Sequence, residues 1–106
     1  MSSNPKPIKI EFLREPVAWF AAEMEKKLAA KDDEHGGSSW PSASWARLFS
    51  LLKDEFDELE KVLEEQPLGG HNMDAIIEEC ADVANFAMMI ADQARQAKLS
   101  TEAKSE

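Results

Sequence analysis

The chain has 106 residues, with 21 Asp+Glu against 12 Lys+Arg and a formal net charge of −9. That length suits one small domain, whose limited core volume makes it either compact or dependent on a partner. The acidic balance excludes the basic footprint of a nucleic-acid binder, no apolar run reaches the roughly 18–20 residues of a membrane span, and the single cysteine, Cys80, allows no intrachain disulfide.

The opening MSSNPKPIKIEF lacks the apolar stretch of a signal peptide, so a cytoplasmic location is expected. Two prolines mark residues 1–11 as an extended arm. A first helix is predicted from near Pro16, which the first turn tolerates, to about Lys31. Residues 31–41, rich in Gly, Ser and Pro, read as a loop. A second helix starts at Ser42 or Ser44, both good N-caps, and continues to about Glu65. The run from Gln66 through Gly69 and Gly70 breaks it. Asn72 is placed to cap a third helix from Met73 to about Ala97, and residues 99–106 form a fraying tail. No repeat and no strand pattern is present, so the class is all-α, a single domain over residues 12–98.

On the second helix a projection at about 100° per residue gives an apolar stripe of Trp45, Leu48, Phe49, Leu52, Phe56, Leu59 and Leu63. Lys53, Asp54, Asp57, Lys61 and Glu64 fall opposite, as solvated charges. Glu55 and Glu58 share a flank with Leu51 and Val62, beside that stripe. On the third helix the main stripe is Met73, Ile76, Ile77, Cys80, Ala84, Ala87 and Ala91. A second apolar flank of Ala75, Phe86, Met89 and Ile90 also carries Glu79 and Asp82. A helix apolar on two flanks is central, packed on both sides. Three helices alone do not cover two such flanks well, so self-association is expected.

Glu55-x-x-Glu58 and Glu79-x-x-Asp82 therefore each aim two carboxylates one way, because residues three apart share a helix face. An E-x-x-E by itself is ordinary on an acidic helix surface. Carboxylates among apolar residues are different, since burying a charge is costly unless it is paired or metal-bound. If the two helices pack at roughly 8–10 Å, the four acids converge as oxygen ligands for a hard divalent cation, Mg²⁺ first and Mn²⁺ second.

At these residues the chain resembles the all-α nucleoside triphosphate pyrophosphohydrolases of the MazG-like type, marked by E-x-x-E, a variable spacer and E-x-x-D on two antiparallel helices. The match is Glu55 and Glu58, then Glu79 and Asp82, and covers roughly residues 45–95. The resemblance implies a bundle of antiparallel helices completed in a homodimer or homotetramer. It implies hydrolysis of a nucleoside triphosphate, or its deoxy form, to the monophosphate and pyrophosphate, as nucleotide housecleaning. The four acids would bind the metal, and one of them, or Glu78, would orient the water.

For such a substrate, Trp40 is the expected stacking surface, because nothing periodic buries it, whereas Trp19 and Trp45 read as core. Lys31 and His35, expected in the loop, are candidates for phosphate or base, and Asn85 and Glu78 for the cleft edge. His71 is assigned nothing, and Met88 and Met89 read as core. Two other functions compete. One is the related phosphoribosyl-ATP pyrophosphohydrolase reaction, disfavoured because no basic cluster awaits a second phosphoribosyl group. The other is a non-enzymatic helical interaction module, which requires basic partners facing Glu79 and Asp82.

Overall fold

A computed structural model describes residues 7–35, 40–65, 70 and 72–104, with the side chains of residues 33–35, 41 and 104 left aside. Three α-helices carry the fold: α1 (Glu15–His35), α2 (Trp45–Glu64) and α3 (Met73–Lys104). Short 3₁₀ turns at Ile10–Phe12 and Trp40–Ser42 precede the first two. Among the described residues there is no strand, and no helix is long and apolar enough to cross a membrane.

The helix starts follow local chemistry. Ser44, in extended backbone, accepts the Arg47 N–H at 3.0 Å and caps α2. Asn72 Oδ1 accepts the Ala75 N–H at 3.1 Å and caps α3, while Asp74 faces the positive end of the helix dipole. Pro16 sits in the first turn of α1. Two helix ends differ from expectation. α1 runs four residues beyond Lys31, because the Asp-Asp-Glu-His run holds no breaker before the glycines at 36 and 37. α3 runs seven residues beyond Ala97, into the segment expected to fray, with the Thr101 hydroxyl donating to the Ala97 carbonyl at 3.0 Å. Gly36 to Ser39, residues 66–69 and His71 lie outside the described residues.

α3 is the central element, and α1 and α2 each pack against it. α2 runs opposite to it. Met24 and Lys27 of α1 meet Asn85 and Asp82, while Ala43 and Glu55, flanking and within α2, meet Gln93 and Glu79. The fully buried line on α3 is Ala81, Asn85 and Met89, each four residues apart. This line lies between the two expected flanks, and Met73, Ala87 and Ala91 of the main stripe are exposed. A helix covered from two sides buries the strip its neighbours share. Ala81, at 1 % exposure, is small where the helices meet.

The apolar stripe of α2 is rotated relative to expectation. Leu48 is buried and Leu51, Leu52, Glu55, Leu59 and Val62 are half-buried. Trp45, Phe49 and Phe56 are exposed, as is Trp19 on α1, so the core reading of both tryptophans is corrected. The stripe is wider than the contact that α3 offers, and α3 takes the edge carrying Glu55. The molecule is accordingly long, 61 × 32 × 28 Å, with a radius of gyration of 16.8 Å against about 13 Å for a compact chain of this size. Between α1 and α2, over α3, lies an apolar groove of about 430 Å³ whose walls include Trp19, Phe20, Leu59, Ile77, Cys80 and Val83. Cys80, expected in the core, lines this groove half-buried.

Candidate metal centre

Glu55 enters the site from the inward edge of α2, and Glu79 and Asp82 enter from the flank of α3 that faces it. Each of the three offers a carboxylate oxygen within 4.8 Å of the other two. Oxygens held by one Mg²⁺ at about 2.1 Å lie about 3 Å apart when adjacent and about 4.2 Å apart when opposite. Side-chain movements of under about 1 Å would bring all three onto one ion. The donor set, carboxylate oxygens only, suits a hard divalent cation over a softer metal.

The electrostatics are those of crowded acids. Burial raises the Glu55 carboxyl above its ordinary value of 4.5, and the charges of Asp82 and Glu79 raise it further, while Lys31 opposes them. Burial likewise raises Glu79, followed by the charge of Asp82. Hydrogen bonding between the two carboxyls raises Glu55 and lowers Glu79. The second Glu79 oxygen, Oε2, is buried and accepts no hydrogen bond. A buried acceptor with no donor carries a desolvation cost of about 1–3 kcal/mol, more when charged. A cation bound there would remove it.

Lys27 of α1 reaches Asp82 at 3.4 Å, and the Asp82 side chain is only 13 % exposed. Lys27 is thus a basic group facing Asp82, of the kind the interaction-module reading requires. Met24, Lys27 and Leu28, at helical spacing, are all half-buried. Lys31, four residues on, lies in α1 and not in a loop, and its charge acts on Glu55. One ion pair does not balance three carboxylates.

The other expected site residues scatter. Glu58 is not among the three converging acids; its side chain is 52 % exposed, 3.7 Å from Lys61, although its charge is felt by Glu79. Glu78 is exposed. Asn85 is buried and donates from Nδ2 to the Met24 carbonyl at 3.1 Å, tying α1 to α3, while its Oδ1 accepts nothing. His35 ends α1, with its side chain outside the description. Trp40 is half-buried. Its indole N–H donates to Asp92 at 3.2 Å, ten residues and about 15 Å of helix rise from Asp82. Gln93 donates to the carbonyls of Trp40 and Ala43, 2.6 Å each, fixing the entry to α2. No family model, curated protein or solved structure matches this chain.

Proposed function

We propose that this chain is a Mg²⁺-dependent nucleoside triphosphate pyrophosphohydrolase in which Glu55, Glu79 and Asp82 hold the ion. The observation that carries the proposal is the convergence of three carboxylates within 4.8 Å around a buried Glu79 oxygen with no hydrogen-bond partner among the described residues. The resemblance of Glu55-x-x-Glu58 and Glu79-x-x-Asp82 to the MazG-like pattern supplies the reaction class.

Bound Mg²⁺ supplies Lewis-acid charge that lets a triphosphate approach an acidic protein and stabilises the phosphorane-like charge of the transition state. The residues do the rest. Glu55, Glu79 and Asp82 would hold the ion in their ionised forms, because ligand carboxylates must be deprotonated. Lys27 holds Asp82 in place, and Lys31 adds positive charge on the α1 side, suited to a phosphate. Glu58 or Glu78 would orient a water for in-line attack at the α-phosphorus and take up the proton it releases. The new P–O bond forms as the bridging oxygen to the β-phosphorus leaves with pyrophosphate.

The exposed aromatic edge of α2, Trp45, Phe49 and Phe56, supports completion of the helical bundle by a second copy, as a homodimer or a homotetramer. A cytoplasmic nucleotide-pool role goes with the activity. The test is pyrophosphate release from a panel of canonical and modified NTPs and dNTPs with Mg²⁺, beside Asp82→Asn and Glu58→Gln. Metal-dependent release lost in Asp82→Asn supports the enzyme.

One observation favours the non-enzymatic reading. The Lys27–Asp82 pair is the basic partner that an interaction module requires. Under that reading the acids are structural, no nucleotide is hydrolysed, and Mg²⁺ leaves the melting temperature unchanged.

A further inference from the structure

The segment ahead of α1 is apolar and bare. Ile8, Ile10 and Phe12 are 72 %, 81 % and 71 % exposed, three large apolar side chains within five residues. The same segment reverses the charge of the molecule. Residues 1–14 hold Lys6, Lys9 and Arg14 against Glu11 alone, in a chain of net charge −9. Such a segment is poorly suited to remain in water, and its own fold does not cover it.

The groove between α1 and α2 is its complement. Its walls are apolar throughout, from Trp19 and Phe20 across Ile77 and Cys80 to Leu59. Beside it, residues 55–64 of α2 carry five acids against Lys61, and Asp74 and Glu78 extend that charge onto α3. The arm does not lie in its own groove, since Phe12 is exposed and the 3₁₀ turn at Ile10–Phe12 leads straight into α1 at Glu15.

We propose that the Ile8–Phe12 arm of one copy docks in the apolar groove of a second copy, and that the exchange is reciprocal. Two identical arm-and-groove contacts then close a two-fold dimer. Lys9 and Arg14 meet the acidic rim while Ile8, Ile10 and Phe12 enter the groove. The inference rests on the self-association proposed above, and adds which surfaces carry it.

Cys80 lines the groove and is the sole cysteine, which makes the test direct. Wild-type chain is mixed with a chain carrying Ile10→Cys and Cys80→Ala. A mild added oxidant takes two electrons and two protons from each facing thiol pair. The only cross-chain pairing of unlike thiols joins an arm to a groove. The expected product is a disulfide-linked heterodimer in high yield. A second variant, Ile10→Asp with Phe12→Asp, is expected to raise the dimer dissociation constant at least tenfold in sedimentation equilibrium, while Leu99→Ser, at an exposed site on neither the groove nor the aromatic edge of α2, leaves the cross-link intact. Raising the salt weakens the wild-type dimer through the screened arm charges. An oligomeric wild type that gives no cross-link overturns the arm exchange and leaves self-association through α2 standing. A monomeric wild type overturns both. Neither outcome touches the hydrolase, which pyrophosphate release reads separately.

Discussion

Asp82 and Asp92 stand ten residues apart on α3 and live in opposite surroundings. Asp92 is ringed by donors, with the Trp40 indole on one oxygen and the Arg95 guanidinium on the other. The Trp40 hydrogen bond, then that of Arg95, holds its carboxyl below the ordinary 3.8. At the Asp82 end, Lys27 meets one carboxylate while Glu55 and Glu79 crowd it, both with raised pKa. A carboxylate used to hold a fold together is given donors until nothing is left to satisfy. Acids gathered with few donors are destabilised by their crowding, and a bound cation would relieve them.

That contrast can be broken from either end. The largest effect is expected for Glu79→Gln. It removes a ligand, and Mg²⁺-dependent hydrolysis should fall at least about 100-fold, the scale on which single electrostatic groups act in catalysis. Because it also removes a crowded charge, its melting temperature without metal should equal or exceed that of the parent. Asp92→Asn should do the reverse, lowering the melting temperature and sparing hydrolysis. An inactive Asp92→Asn that melts like the parent would erase the distinction.

The pH dependence of stability sharpens it. Glu55 and Glu79 hold protons more tightly folded than unfolded, so the stability they contribute is present below 4.5 and lost as pH rises through their raised values. Asp92 behaves oppositely, its contribution present above 3.8 and lost as pH falls through its lowered value. Thermal melts without metal should therefore show a decline above 4.5 that Glu79→Gln diminishes. With saturating Mg²⁺ that decline should vanish, because the metal binds the ionised acids.

Smaller effects come from the end that only supports the fold. Gln93→Ala strips two carbonyl partners from the Trp40–Ala43 turn and should cost about 1–2 kcal/mol in urea unfolding. Gly70→Ala should cost about 1 kcal/mol. A Cβ there would meet nothing within 4 Å, but φ is +103°, which a residue with a side chain adopts only under strain. Neither change should move the Mg²⁺ affinity.

The features legible in the sequence were the local ones. Ser44 and Asn72 announce two helix starts because capping depends on a few adjacent residues. Glu55, Glu79 and Asp82 stood out because three-residue spacing and apolar neighbours are visible along one helix. What depends on another helix was not legible. Which edge of the α2 stripe turns inward is decided by α3, so Trp45 and Phe49 read as core and lie at the surface. Glu58 shares the motif of Glu55, but one helical turn along it points past the cluster. Lys27 could be matched to Asp82 only once the register of α1 on α3 was known. Trp40, with no periodicity to place it, is held by a single indole N–H and a glutamine that no local pattern marks.

The most direct test is calorimetric titration of the folded, metal-free protein with Mg²⁺, about one pH unit above the ordinary glutamate value, in two buffers of different ionisation heat. The expected result is saturable binding with net release of protons, absent in Glu79→Gln. No binding by a well-folded wild type at millimolar Mg²⁺ and Mn²⁺ would contradict the metal centre and leave the acid cluster a structural feature of the helices.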